Sequence, residues 1–124
     1  MKIKLAGIGI DLVNLLRIRK FVRQHSSNNL RRLLSVSEQR RFGKKKISPQ
    51  TFAKIFTAKE AFFKTLNRPW MGLQGFHAMS VVFKKADTFE ISMNAALNSK
   101  RPLRADGCFF CTGNLWGAQV VRWK

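Results

Sequence analysis

Ser48-Pro49-Gln50-Thr51-Phe52-Ala53-Lys54-Ile55-Phe56-Thr57-Ala58-Lys59-Glu60-Ala61-Phe62-Phe63-Lys64-Thr65-Leu66 is the stretch around which the rest of the chain is read. Serine followed by proline gives a helix cap and then a residue well suited to the first helical position, where a missing N–H costs nothing. At about 100° per residue, Phe52, Ile55, Phe56, Phe62, Phe63 and Leu66 fall within roughly 120° of one another. The spacing predicts an amphipathic helix over about 49–66 with its apolar face on a core. Glu60 and Lys64 stand together at i, i+4, which taken alone reads as a surface ion pair. Lys59 falls in the middle of the apolar arc. Either its stem packs and its head escapes to water, or the lysine is aimed into a cleft to bind phosphate.

Upstream, Ile3 to Ile10 is a short β-branched run holding Gly7 and Gly9. It reads as a buried strand with a close backbone approach, ended by Asp11. A helical pattern follows over about 12–24, with Leu15, Ile18, Phe21 and Val22 on one arc and Arg17, Lys20 and Gln24 on another. His25 to Asn29 is polar and breaks it. Ser35-Val36-Ser37-Glu38 fits a capping box, so a short helix starts there. Downstream, Asn67 to Gly75 reads as a loop. Met79 to Lys85 and Thr88 to Met93 flank Ala86-Asp87 as a hairpin. Asn98 to Asp106 reads as a turn, and Cys108 to Thr112 and Gly117 to Trp123 as two closing strands. Strand, then helices, then strands is an α+β order.

The 124 residues make one domain, 1–124, too short for two independent cores, and 45% hydrophobic residues argue against wholesale disorder. Lys and Arg number 24 against six Asp and Glu, a net charge of +18, so a densely anionic partner is expected. No apolar run approaches the roughly 18 residues of a membrane span, and no signal-peptide stretch opens the chain, so a cytoplasmic protein with no membrane partner is expected. Cys108 and Cys111 form a lone CxxC. On a strand, i and i+3 point to opposite faces and no second ligand pair exists, so core cysteines are expected rather than a metal site. His25 and His77 have no partner spacing and read as loop or surface residues. Lys44-Lys45-Lys46 reads as a solvated loop that could meet a phosphate or an acidic partner.

Two segments together resemble a known family. Gly7-Ile8-Gly9-Ile10-Asp11 is similar to the G-I-G-x-D strand of the 4'-phosphopantetheinyl transferases, most closely the short holo-(acyl-carrier-protein) synthase type. Phe52 to Lys64 resembles that family's F-A-x-x-F-x-x-K-E-A-x-x-K signature. Leu34-Ser35-Val36-Ser37-Glu38 and Ala118-Gln119-Val120-Val121 are weaker echoes. The likeness spans nearly the whole chain, and both motifs in order at this spacing are fairly specific.

The resemblance implies an antiparallel three-stranded sheet packed on a long helix. It implies transfer of the phosphopantetheine arm of coenzyme A to a serine of a carrier protein, with adenosine 3',5'-bisphosphate as the other product. Asp11 and Glu60 would hold Mg²⁺, a hard ion that takes one or two carboxylates and completes its octahedron with phosphate oxygens and water. Lys59 and Lys64 would bind phosphate. Lys64 could protonate the leaving group, and Glu60, directly or through a metal-bound water, could take the serine proton. Arg17, Lys20 and Arg23, on the helix after Asp11, would dock an acidic acyl carrier protein. The short members form trimers, which makes a homotrimer the implied assembly, although a pseudodimeric relative leaves others open.

The chain departs from the pattern at Cys108 and Cys111, which stand where the family has Ser and His, and at Ile55, where Arg is common. Two rival readings stand beside this one. A nucleic-acid-binding domain suits the charge, but most of the 11 Phe fall at core-period positions and the basic residues are spread along the chain. A non-catalytic relative that binds carriers without modifying them is the other.

Overall fold

The computed structural model describes residues 3–43, 45–69, 72–94 and 103–123. Lys44 and the segment 98–102 of the expected turn lie outside them. The elements run β1 (Leu5–Asn14), α1 (Leu15–Gln24), α2 (Ser27–Arg31), α3 (Val36–Phe42), α4 (Pro49–Lys64), α5 (Gly72–Ala78), β2 (Met79–Phe83), β3 (Thr88–Met93), β4 (Leu103–Thr112) and β5 (Leu115–Trp123).

The helix starts follow from local chemistry. Ser48 Oγ accepts the Thr51 N–H at 3.1 Å ahead of Pro49. Ser35 and Glu38 close the capping box in both directions, at 3.2 and 2.9 Å. The Asn14 side chain caps α1, accepting the Leu16 N–H at 2.9 Å. The hairpin between β2 and β3 turns at Ala86 and Asp87, both left-handed (φ 54° and 58°), as a right-twisted hairpin requires.

The sheet corrects the three-stranded expectation. It has five antiparallel strands in the order β1-β5-β4-β3-β2, so the first and last strands pair and β1 forms one edge. Asp11 does not end its strand: alternation continues through Leu12 and Val13 to Asn14, and α1 starts at Leu15 rather than near 12. β4 begins at Leu103, inside the expected turn, because Arg104 and Asp106 lie on its outer face while Ala105 is buried. Two short helices, α2 and α5, occupy stretches that read as breaks or loop.

Helix α4 lies across the inner face of the sheet. Ala58, Ala61, Phe62 and Phe63 pack with Met79, Val81, Phe89, Ile91 and Val120 in one cluster. The N-terminal half of α4 joins a second cluster, where Phe52 and Ile55 meet Leu15, Ile18, Val22, Leu30 and Leu34. Phe21, placed on the apolar arc of α1, is instead 36% exposed. None of the helices among the described residues is long and apolar enough to cross a membrane.

Candidate active site

Two glycines decide how closely β1 meets α4. A Cβ built on Gly9 would sit 1.8 Å from the Ala61 carbonyl oxygen, and one on Gly7 would sit 2.8 Å from that of Thr65. Any side chain at these positions would push the strand off the helix. From the other side, Arg122 on β5 donates to the Thr65 carbonyl and hydroxyl oxygens at 2.8 and 3.2 Å, holding the C-terminal end of α4. Strand and helix are thereby locked side by side. Asp11, two residues beyond Gly9, shares the inward side of β1.

Asp11 meets Lys64 there. The Lys64 ammonium donates to Asp11 Oδ1 at 3.1 Å and to the Ile10 carbonyl oxygen at 2.8 Å. Lys64 thus pairs with β1 rather than with Glu60 four residues back. The Asp11 side chain is only 15% exposed, and its second oxygen, Oδ2, is buried with no hydrogen-bond partner. Glu60 completes the group. Burial pushes its carboxyl above the ordinary range, the Asp11 charge pushes it further, and Lys64 opposes both. Two acids repel one another beside one ammonium, and one carboxylate oxygen lacks a partner. Such a pair suits a hard divalent cation that takes few protein ligands and fills the rest of its shell with phosphate and water. Among the described residues no three His, Cys, Asp or Glu side chains gather, so no all-protein metal cage is built there. Beside Lys64 opens a cleft of about 450 Å³ lined by Phe63, Asn67, Arg68 and Pro69.

Lys59 lies elsewhere. It is fully buried, and its ammonium donates to Glu38 Oε1 at 2.6 Å, to the Leu33 carbonyl at 2.8 Å and to the Phe76 carbonyl at 2.9 Å. Its head neither escapes to solvent nor faces a cleft, and all three of its protons are donated within the protein. Burial lowers its pKa while the Glu38 charge and hydrogen bond raise it. Glu38, also fully buried, takes the Ser35 N–H on Oε1 and the Val81 N–H on Oε2. As the end of a capping box it had an expected local partner. The signal for its distant one was a lysine on an apolar arc in a chain with six acids.

Arg17, Lys20 and Arg23 are exposed on α1, which leaves β1 three residues after Asp11. Cys108 and Cys111, expected in the core, are both exposed and free. Cys108 pairs with Thr88 and Gln119 on the outer face, and Cys111 lies opposite Trp116. His25 Nδ1 donates to the Phe21 carbonyl and the ring stacks on that of Phe21, and His77 Nδ1 donates to the Leu34 carbonyl. Lys45 and Lys46 are exposed, in a basic hollow with Arg41 and Ser48. Lys54, beside Ile55, sits over the Phe83 and Phe109 rings, 3.9 Å from Asp87.

Residues 7–108 match the family described as the 4'-phosphopantetheinyl transferase superfamily. The chain is 36% identical over 76 residues to a holo-(acyl-carrier-protein) synthase of Geotalea daltonii, covering 61% of each chain. It spans less than two thirds of the length of the curated relatives it matches. Over 97% of this chain and 99% of the other, its fold is similar to the crystal structure of holo-(acyl-carrier-protein) synthase from Neisseria meningitidis, with a TM-score of 0.76 and 25% identity. The Helicobacter pylori enzyme, solved in complex with coenzyme A, has a TM-score of 0.69 at 24% identity over 93% of this chain and 98% of that one.

Proposed function

The chain belongs to the 4'-phosphopantetheinyl transferase superfamily, and from that premise we propose that it is a holo-(acyl-carrier-protein) synthase. It moves the 4'-phosphopantetheine arm of coenzyme A onto a serine hydroxyl of an acidic acyl carrier protein and releases adenosine 3',5'-bisphosphate. One observation carries the reading. Two motifs about fifty residues apart, each similar to a family signature, bring Asp11, Glu60 and Lys64 into one group with an unpartnered buried oxygen.

Asp11 and Glu60 would hold Mg²⁺ against the coenzyme A pyrophosphate. Bound there, the ion would supply polarisation of the attacked phosphorus and neutralisation of charge on the leaving phosphate. Glu60, whose carboxyl is shifted upward, takes the proton of the attacking serine as the serine oxygen–phosphorus bond forms. The bond from that phosphorus to the bridging oxygen breaks, and its electron pair leaves with the adenosine bisphosphate. Lys64, half-exposed at the mouth of the neighbouring cleft, binds a phosphate oxygen and gives a proton to that leaving oxygen. Arg17, Lys20 and Arg23 attract the acidic carrier to the same side of β1, which chiefly raises the rate of encounter.

The reaction unit is read as a single domain in a homotrimer. Support comes from the sheet face turned away from α4, where Leu5, Ile8, Ile10, Leu12, Phe110 and Trp123 are each between 40% and 54% exposed. Apolar patches of this kind mark protein contacts. Two exposed free thiols fit the reducing cytoplasm.

The test is the mass of an apo acyl carrier protein incubated with the chain, coenzyme A and Mg²⁺. A gain of one phosphopantetheine is expected, with Asp11→Ala and Glu60→Ala slower by orders of magnitude while still folded. Near-wild-type transfer by both variants would refute the metal-ligand assignment. Carrier binding with no mass gain would mark a non-catalytic relative.

A further inference from the structure

The Lys64 ammonium sits where oxygens converge. The Ile10 carbonyl and Asp11 Oδ1 come from adjacent residues of β1 and meet on this one positive charge, at 2.8 and 3.1 Å. Both are hard oxygen atoms of the kind a divalent ion takes, and Asp11 Oδ2 lies beside them with no partner. The lysine reaches them from a half-exposed side chain at the last residue of α4, so no core packing pins its head in place. Lysine is a compact charge on a flexible four-carbon stem, suited to moving between partners. The contrast with Lys59 is sharp, since that ammonium is enclosed and fully bonded at 0% exposure.

We propose that Lys64 is the resident cation of this site in the ligand-free protein, and that a divalent ion must displace its ammonium from Ile10 O and Asp11 Oδ1 in order to bind. The arriving ion takes over the neutralisation of Asp11 and frees the ammonium for the substrate phosphate. Cation entry and the delivery of Lys64 to phosphate are then one exchange rather than two independent events. This rests on the preceding reading for the role of Asp11 and Glu60 as cation ligands.

The test is calorimetric titration of Mg²⁺ into the full chain without coenzyme A. Lys64→Met should bind Mg²⁺ roughly tenfold more tightly than wild type, because a like charge leaves the ligand oxygens. Lys64→Gln serves as a second variant should the methionine perturb folding, and should tighten binding in the same direction. Lys84→Met removes the same charge just beyond β2, four strands across the sheet from β1 at about 4.8 Å per strand, and should change the affinity by less than about twofold, since exposed charges more than a Debye length away are screened. Asp11→Asn should lose binding in either background. Unchanged or weaker binding in both Lys64 variants, with wild type binding Mg²⁺, would overturn the exchange and leave the metal site standing. Tightening equal to that of Lys84→Met would reduce it to a net-charge effect and overturn it too. No Mg²⁺ binding by any form would remove both this inference and the metal assignment beneath it.

Discussion

Glu38→Gln isolates the buried ion pair better than any other single change. The substitution keeps shape and removes one charge. It leaves the Lys59 ammonium at 0% exposure with two backbone carbonyls and no counter-ion. Breaking a buried pair by removing one partner costs about 3–5 kcal/mol, because an uncompensated charge stays in the interior. That is a large part of the 5–15 kcal/mol or so by which a domain of this kind is stable. With about 2.1 cal/mol/K of unfolding entropy per residue over 124 residues, each kcal/mol moves the melting midpoint by about 4 °C, so a fall of about 12–20 °C is expected. The pH dependence has a defined sign. Burial holds the Lys59 pKa below its ordinary 10.5, and removing Glu38 lowers it further. The unfolded chain then binds a proton that the folded one does not, so from the folded pKa up to 10.5 the variant gains stability as pH rises. Thermal unfolding followed by circular dichroism between pH 6 and about 10 measures this. Lys59→Met and the double variant complete a cycle, in which the pair should lose less than the sum of its singles. A midpoint within a few degrees of wild type, or strictly additive losses, would refute the coupling.

Gly9→Ala should cost about 3 kcal/mol in thermal melts, because its new Cβ meets the Ala61 carbonyl oxygen at 1.8 Å and backbone rather than side chain must yield. Glu60 titrates in the opposite sense to a stabilising acid. Its folded pKa lies above its ordinary value near 4.5, so the stability it contributes is fully present below 4.5 and is lost as pH rises through the folded value. Glu60→Gln should therefore melt above wild type at neutral pH in chelator, with the gap closing by about pH 4; the reverse order at neutral pH would contradict the shift. Arg17→Glu with Lys20→Glu should weaken carrier binding, most at low salt, and leave coenzyme A affinity nearly unchanged by calorimetry.

The helix starts were legible because their causes are local. Ser48-Pro49 and Ser35 with Glu38 satisfy orphan N–H groups within three residues of themselves. Gly7, Gly9 and Asp11 were legible as a motif, whereas Lys64, which its i, i+4 spacing set beside Glu60, has its ion-pair partner at Asp11 on β1. What sequence reading missed is non-local. Lys59 finds Glu38 across 21 residues, and spacing on one helix cannot report a partner on another. The pairing of β1 with β5 joins opposite ends of the chain, and neither strand alone shows which edge it takes. Cys108 and Cys111 read as core because cysteine is usually buried, yet both are solvent-exposed.

The alternation in β1 also polices its own alignment. A slip by one residue turns every side chain to the opposite face. Ile8 or Ile10 would then face the Ala61 carbonyl, where a single Cβ at Gly9 already comes within 1.8 Å. Asp11 would turn to the outer face, away from Lys64. An edge strand held by one neighbour has only that neighbour's ladder to fix its alignment. Here the second check is steric. Because only glycine fits against α4, the misaligned strand cannot dock, and a chain that closes its sheet at all closes it with the acid facing inward. A one-residue insertion or deletion between Gly7 and Asp11 would disable the strand as a structural element before it disabled the chemistry.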